Sequence, residues 1–273
     1  ENHPSPAMIA SHGHTVFHRP AEGITLQIGS GKVEAECTGI PVINDFRSED
    51  VGLGGQGAPL VPVGDEWLFP EYAFCLNLGG FSNISFRLEN QRVACDIAPC
   101  NMAINTEARL LGAPYDHNGK MGRRGKMNHD LMQKIDSLPF YQKNHPKSLG
   151  KEWYLHQFLP HVREYYPSGS FDAIHTVSTH AGRQIARFIN RYYTTGNKVL
   201  VTGGGAHNQF LMEVIRNNTE ADLFIPGRDL IEFKEALVFA WLGLLRSRGE
   251  INVLASVTGA SRNSSSGTIH HSK

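Results

Sequence analysis

The chain has 273 residues, 40% of them hydrophobic, and its 26 Lys plus Arg balance 26 Asp plus Glu, for a formal net charge of +0. A chain of this size can bury a sizeable core, as one large domain or two. Zero net charge supplies no field to gather nucleic acid or an anionic membrane, and no apolar run approaches the ~18 residues that a membrane span requires.

The four cysteines, Cys37, Cys75, Cys95 and Cys100, contain no C-x-x-C pair and read as reduced, buried thiols of a cytosolic protein. The opening Glu1-Asn2-His3-Pro4-Ser5-Pro6 has neither an initiator Met nor a signal-peptide pattern, which suits a fragment or a partly ordered protein.

In chain order, strands are predicted at Met8–Ala10, Ile24–Ile28 and Val42–Phe46, with a short helix over Lys32–Cys37 between the last two. Gly52 to Pro59 is too rich in glycine for either element and reads as a loop that exposes its backbone. Phe74–Leu78 and Ile84–Leu88 flank a glycine turn as a hairpin, and Val93–Asp96 is a further strand. Helices are predicted over Met102–Leu111, His129–Ile135, Trp153–Tyr165 and Thr176–Tyr193, with a glycine-rich polar loop at 112–128. A strand at Val199–Thr202, a helix at Gln209–Arg216 and a strand at Ala221–Ile225 follow. Phe233–Arg246 reads as a buried apolar helix, and the serine-rich tail from Ser261 as loose. Alternating strands and helices argue for an α/β fold. No repeat of solenoid period is present.

Two turns stand out: Asn77-Leu78-Gly79-Gly80-Phe81-Ser82-Asn83 and Thr202-Gly203-Gly204-Gly205-Ala206-His207-Asn208. Each ends a short apolar strand, where glycine lets backbone N–H groups approach a phosphate or nucleoside. Two such turns point to a bound nucleotide and phosphoryl transfer. Neither is a G-x-G-x-x-G fingerprint, and no G-x-x-x-x-G-K-[ST] is present, which disfavours Rossmann dehydrogenases and P-loop enzymes.

Among the acids, Asp45 and Asp96 each end an apolar strand, a place that faces the ligand crevice in open α/β sheets, and either could act as a general base or merely cap a turn. Glu235 falls in the first turn of the predicted apolar helix, where favouring the helix dipole is the plainer role. His12, His14 and His18 suit hydrogen bonding to a polar substrate better than zinc, which needs three or four convergent ligands. The basic run Lys120 to Lys126 reads as a solvated loop, with phosphate contact as the alternative.

Several stretches together resemble the anhydro-N-acetylmuramic acid kinases: Ser11-His12-Gly13-His14-Thr15, Thr25-Leu26-Gln27-Ile28-Gly29, Asp45-Phe46-Arg47, the long Gly54 to Pro62 run, Asn77 to Asn83, Pro146-Lys147-Ser148, Gly203 to Asn208 and Phe239-Ala240-Trp241-Leu242. The resemblance implies a two-lobed actin-like (ribonuclease H-like) ATPase fold with a nucleotide cleft. The first lobe would comprise residues 1–63 with 251–273 returning to it, and the second residues 64–250. It implies a bacterial, cytoplasmic enzyme of cell-wall (peptidoglycan) recycling. With ATP, Mg²⁺ and water, such an enzyme opens the 1,6-anhydro ring of anhydro-N-acetylmuramic acid and phosphorylates O6. Asp96 falls on the family's general base, Gly79, Gly80, Ser82 and Asn83 on its second phosphate loop, and Gly203, Gly204 and Gly205 on its adenosine-side loop. Thr15, Gln27, Arg47 and Glu235 fall on positions that face the sugar, and no residue is assigned to a metal.

The partner implied is a small amino sugar, and a homodimer is compatible with the sequence. Ala98 and Cys100 stand where the family often has Gly. The family's opening strand and first phosphate loop, a Gly-Thr-Ser followed by Asp-Gly, have no counterpart here, so the first lobe is incomplete and the polypeptide by itself is expected to be inactive or impaired. A binding module without turnover and a kinase for a related sugar are the rival readings.

Overall fold

The structure, a computed structural model, describes residues 5–272. The opening Glu1–Pro4, whose pattern is not that of a signal peptide, and Lys273 lie outside the described residues. The strands are β1 (Ile9–Ala10), β2 (His14–Arg19), β3 (Ile24–Ile28), β4 (Val42–Asn44), β5 (Phe74–Leu78), β6 (Phe81–Leu88), β7 (Gln91–Pro99), β8 (Lys198–Thr202), β9 (Asp222–Phe224) and β10 (Thr268–His270). The chain divides into two compact units. One holds the residues up to Pro70, Arg87–Val93 and those from Phe233 onward; the other holds Glu71–Phe86 and Ala94–Glu232. The first unit thus takes in the Phe233–Ser247 part of a helix that the sequence puts in the second lobe.

In the first unit, β4 lies between β1, parallel to it, and β10, antiparallel to it. β2 and β3 form a separate antiparallel hairpin with a bulge between Thr15 and Phe17. The core gathers Ile43, Phe46, Leu60 and Val63 with Val238, Phe239, Leu242, Leu245 and Val253. Three expectations fail here. The tail is not loose: β10 pairs with β4, and Ser264 and Ser266 are buried. Buried Asn252 causes this, because it donates to Leu242 O (3.0 Å) and Ser266 O (2.8 Å) and accepts from Ser266 N (2.7 Å). The late helix starts at Arg228, so Glu235 sits two turns inside it and the dipole explanation falls away. Nor is that helix buried all round, since Leu237, Ala236 and Ala240 are exposed while Val238, Phe239, Leu242 and Leu245 carry its core face.

In the second unit, the sheet order is β7-β6-β5-β8-β9, with β5 antiparallel to β6 and parallel to β8, and β8 parallel to β9. This is the ribonuclease H-like arrangement within an α/β fold that the resemblance implies. β8 reads Val-Leu-Val at its centre and is buried there, as a strand covered on both faces must be. The long helix Phe171–Tyr192 is capped by Ser170, whose hydroxyl accepts from Asp172 N, and buries Ile174, Val177, Ala181, Ile185 and Ile189. Phe86 on β6 packs against Phe74, Phe188 and Tyr192 with ring centroids 6.0, 5.3 and 4.7 Å away. The basic run is not a loop. Lys120–Arg124 is a short helix; Arg124 lies 4.0 Å from the Phe171 ring centroid and Arg123 pairs with Glu213.

Candidate active site

In the second unit the two glycine turns meet. β5 and β8 are parallel neighbours with Asn77 opposite Thr202, so the turns that follow them leave the sheet side by side. Contact is backbone to backbone. A Cβ added at Gly203 (φ 82°) would lie 2.5 Å from Asn77 Oδ1 and 2.9 Å from the main chain of Leu78; one at Gly205 would lie 2.7 Å from Leu78 Cβ. Gly204 has open space, with Asn101 Nδ2 at 3.8 Å. The first turn differs. Gly79 and Gly80 have no positive φ, and their carbonyls accept the N–H groups that open the helix Asn101–Leu110: Asn101 N to Gly79 O at 3.1 Å, Cys100 N and Met102 N to Gly80 O at 2.8 and 3.0 Å. Asn101, which the sequence did not single out, joins the pieces by donating to Leu78 O (2.8 Å).

Ser82 is fully buried, and its hydroxyl donates to Ala98 O (3.1 Å) and accepts from Ala98 N (3.2 Å). Its side chain therefore stitches β6 to β7 and leaves nothing to offer a ligand. Asn83, opposite Asn77 on β6, stays half-exposed. Beyond Gly205, a hollow of about 410 Å³ is lined by Asn118, Ala206, His207, Gln209, Met212 and Arg216, among others. Its size and mix of apolar and polar groups suit a nucleoside.

Asp96 lies on β7, whose far end is tied to the first glycine turn through Cys100 and Ser82. The Asp96 carboxylate is half-buried, and Oδ2 accepts from Leu149 N at 2.7 Å. Burial raises its pKa above the ordinary carboxylate value, and the Leu149 hydrogen bond works in the other direction. Cys100 and Ala98 are fully buried in the turn, so the positions where the family often has Gly are filled by packed side chains.

The first unit holds a second hollow, of about 200 Å³, lined in part by Ser11, His12, Thr25, Gln27, Asn44 and Asp45. Thr15 and Gln27 face each other across β2 and β3, and Gln27 Nε2 donates to Thr25 Oγ1 (2.8 Å) and Thr15 Oγ1 (3.4 Å). His18 Nδ1 bonds Thr25 Oγ1 at 3.1 Å. Arg47 donates to His12 Nε2 from Nε (3.0 Å) and Nη2 (2.8 Å), and to Gly57 O from Nη1 (2.6 Å). His12 Nδ1 therefore carries the proton toward Gly13 O (3.0 Å), and burial together with the Arg47 charge keeps its pKa below the ordinary value. Burial lowers the Arg47 pKa too, while the charge of Glu235 acts against that shift. Lys234, next to Glu235, is anchored in the interior on Asp65 at 2.6 Å, which fixes the turn from which Glu235 projects.

The Gly54 to Pro62 run is a frame for this site. Buried Asp50 accepts from Gly57 N (2.7 Å) and Thr258 Oγ1 (2.7 Å), so it is structural. Asp45 has φ 56°, a conformation that Asp tolerates better than most residues, and its Oδ1 accepts from the Ser48 hydroxyl at 2.6 Å. Asn44 and Ser48 escape the sequence reading, and Ser11 enters it only within the Ser11–Thr15 stretch; the Asp45-x-x-Ser48 spacing is the available signal. Among the described residues no group of three His, Cys, Asp or Glu could hold a metal ion, and no helix is long and apolar enough to cross a membrane.

The family model for anhydro-N-acetylmuramic acid kinase matches residues 4–272. The chain belongs to the anhydro-N-acetylmuramic acid kinase family. Similar curated members of the family include those of Pseudomonas fluorescens (37% identical, 92% of this chain and 72% of that one), Aliivibrio fischeri (36%, 96% and 74%) and Crocosphaera subtropica (32%, 97% and 76%). Among solved structures, the activator of the 2-hydroxyisocaproyl-CoA dehydratase from Clostridium difficile with bound ADPNP aligns with a TM-score of 0.42 at 14% identity, covering 65% of this chain and 62% of that one.

Proposed function

We propose that the protein is an ATP-dependent kinase that opens the 1,6-anhydro ring of anhydro-N-acetylmuramic acid with water and phosphorylates O6. The geometric feature that supports this most is the junction in the second unit. There a half-buried carboxylate stands on a strand stitched to the first of two adjoining glycine turns. Phosphoryl transfer asks for backbone donors around the phosphates and a placed nucleophile. Gly79, Gly80, Asn83 and Gly203–Gly205 form the phosphate and adenosine side, with Ser82 acting through β7. The hollow beside His207 and Arg216 takes the nucleoside.

In the reaction, Asp96 removes a proton from water as the water oxygen bonds to the anomeric carbon. The bond from that carbon to O6 breaks, O6 takes the γ-phosphoryl group, and ADP leaves. The water proton passes from Asp96 to solvent, and the product is N-acetylmuramic acid 6-phosphate. Mg²⁺ arriving with the nucleotide would supply positive charge against the phosphates, with no residue of this chain assigned to hold it. On the sugar side, Gln27 with Thr15 and Thr25 presents amide and hydroxyl groups, and Arg47, held by His12 and Gly57 and faced electrostatically by Glu235, supplies a fixed cation for an acidic sugar. An N-acetylmuramic acid 6-phosphate product suits a role in the recycling of peptidoglycan in the cytoplasm.

Asp96→Asn tests the assignment in the full-length protein. Removal of a general base lowers kcat by about 10²–10⁴, while the affinity for ATP stays at the wild-type value. Retained turnover would remove Asp96 from the mechanism.

A further inference from the structure

We propose that the backbone of Lys147–Leu149 is a strap that positions Asp96 and leaves Oδ1 as its working oxygen. The inference rests on the reading of Asp96 as the base. Two hydrogen bonds meet at this one residue: Asp96 N donates to Lys147 O (3.0 Å), and Leu149 N donates to Asp96 Oδ2 (2.7 Å). The strap thus pairs with β7 through its main chain and, two residues on, turns the Leu149 N–H onto the carboxylate. Among the described residues, Oδ1 has no hydrogen-bond partner. A carboxylate that would otherwise swing about its terminal bond is held by one oxygen, so the other keeps a constant direction before water arrives.

The strap itself is packed in place. The His145 ring lies 5.7 Å from that of Phe86 and 6.0 Å from that of Tyr192, Lys147 Nζ lies 4.5 Å from the Phe140 ring centroid, and the Leu149 side chain is buried. The titratable groups nearby are Cys95, next to Asp96 on β7, and Lys147, whose charge acts on Cys95. The donor that reaches the carboxylate is a backbone N–H, so side-chain substitution at 149 leaves it in place.

The test replaces Leu149 by its α-hydroxy acid, which keeps the side chain and removes only the N–H, in the full-length protein. Asp96 is followed by carbon NMR of its carboxyl and by the acid limb of the kcat/KM profile, with Leu149→Ala as the control that keeps the donor. Loss of a hydrogen bond to the ionised form should move both the Asp96 titration and the limb up by about one pH unit, with the KM for ATP unchanged, and Leu149→Ala should leave the Asp96 titration in place. An unmoved Asp96 titration in the ester protein overturns the strap. A titration that moves while the limb does not leaves the strap's hold intact and overturns Asp96 as the base. Should the ester chain not fold, the Leu149 amide shift of the wild type decides the same question: it should titrate with the Asp96 midpoint, and a flat shift overturns the strap.

Discussion

Gly203→Ala should destabilise the second unit and weaken nucleotide binding, whereas Gly204→Ala, one residue along the same turn, should do neither. At Gly203 the new Cβ falls 2.5 Å from Asn77 Oδ1 and 2.9 Å from two main-chain atoms of Leu78 on a central strand. Asn77 could rotate away, but the strand backbone is fixed by its ladders on both sides. A side chain at φ 82°, ψ 161°, a region essentially reserved for glycine, costs about 1–3 kcal/mol, and overpacking a close contact about 1–3 kcal/mol. The sum, about 2–6 kcal/mol, corresponds to a fall in Tm of roughly 4–24 °C for a domain of this size. At Gly204 φ is not positive and the nearest atom is 3.8 Å away, so the added methyl finds room. Thermal melts of both variants, with ADP affinity by calorimetry, read the difference. Wild-type melting and binding by Gly203→Ala, or equal losses in the two, would refute the close-approach reasoning.

Other expectations follow from the same geometry. Arg47→Lys keeps the charge but loses the fork that reaches both His12 and Gly57, and the KM for the sugar should rise about 10–100-fold with the KM for ATP unchanged, read by steady-state kinetics. The raised Asp96 pKa has a sign for stability as well as rate. The folded state favours the protonated form, so the site is most favourable below the unfolded carboxylate pKa and loses stability as pH rises through the folded one. Asp96→Asn should therefore melt at or above wild type at neutral pH, and the wild-type acid limb of kcat/KM should lie above the ordinary carboxylate range. Asp136 has the opposite sign. Burial pushes it up, but the close His180 ring and the hydrogen bonds from Gln184 and Arg187 bring it down to about 2. Its stabilisation is present above the unfolded value and lost as pH falls through the folded one, so Asp136→Asn should cost about 1–2 kcal/mol at pH 7, with the urea midpoints converging near pH 2.

How much of the fold and site is legible in the sequence depends on where the signal lies. β5 and the helix Gln209–Arg216 match their sequence bounds because apolar spacing and flanking turns coincide there. The late helix reads as starting five residues late because Arg228 and Glu232 support its first turns through a 2.6 Å ion pair and contribute no apolar pattern. β2 escapes a pattern-based reading because Val16 and Phe17 are exposed and a bulge breaks the alternation. The serines of the tail look solvated in sequence; only the reach of Asn252, more than ten residues earlier, makes them interior. At the site, the glycine turns and Asp96 are visible as local patterns. Their adjacency, and the Leu149 N–H 53 positions away that holds the carboxylate, are set by the sheet register and not by any neighbouring residue.

The most direct measurement is the mass of the sugar product formed by the full-length protein with ATP, Mg²⁺ and anhydro-N-acetylmuramic acid. Gain of one phosphate and one water, matched mole for mole by ADP, is the result predicted. ADP release with the sugar unchanged, or a phosphorylated sugar that has gained no water and still carries its anhydro ring, would contradict a kinase in which ring opening and transfer to O6 are one reaction.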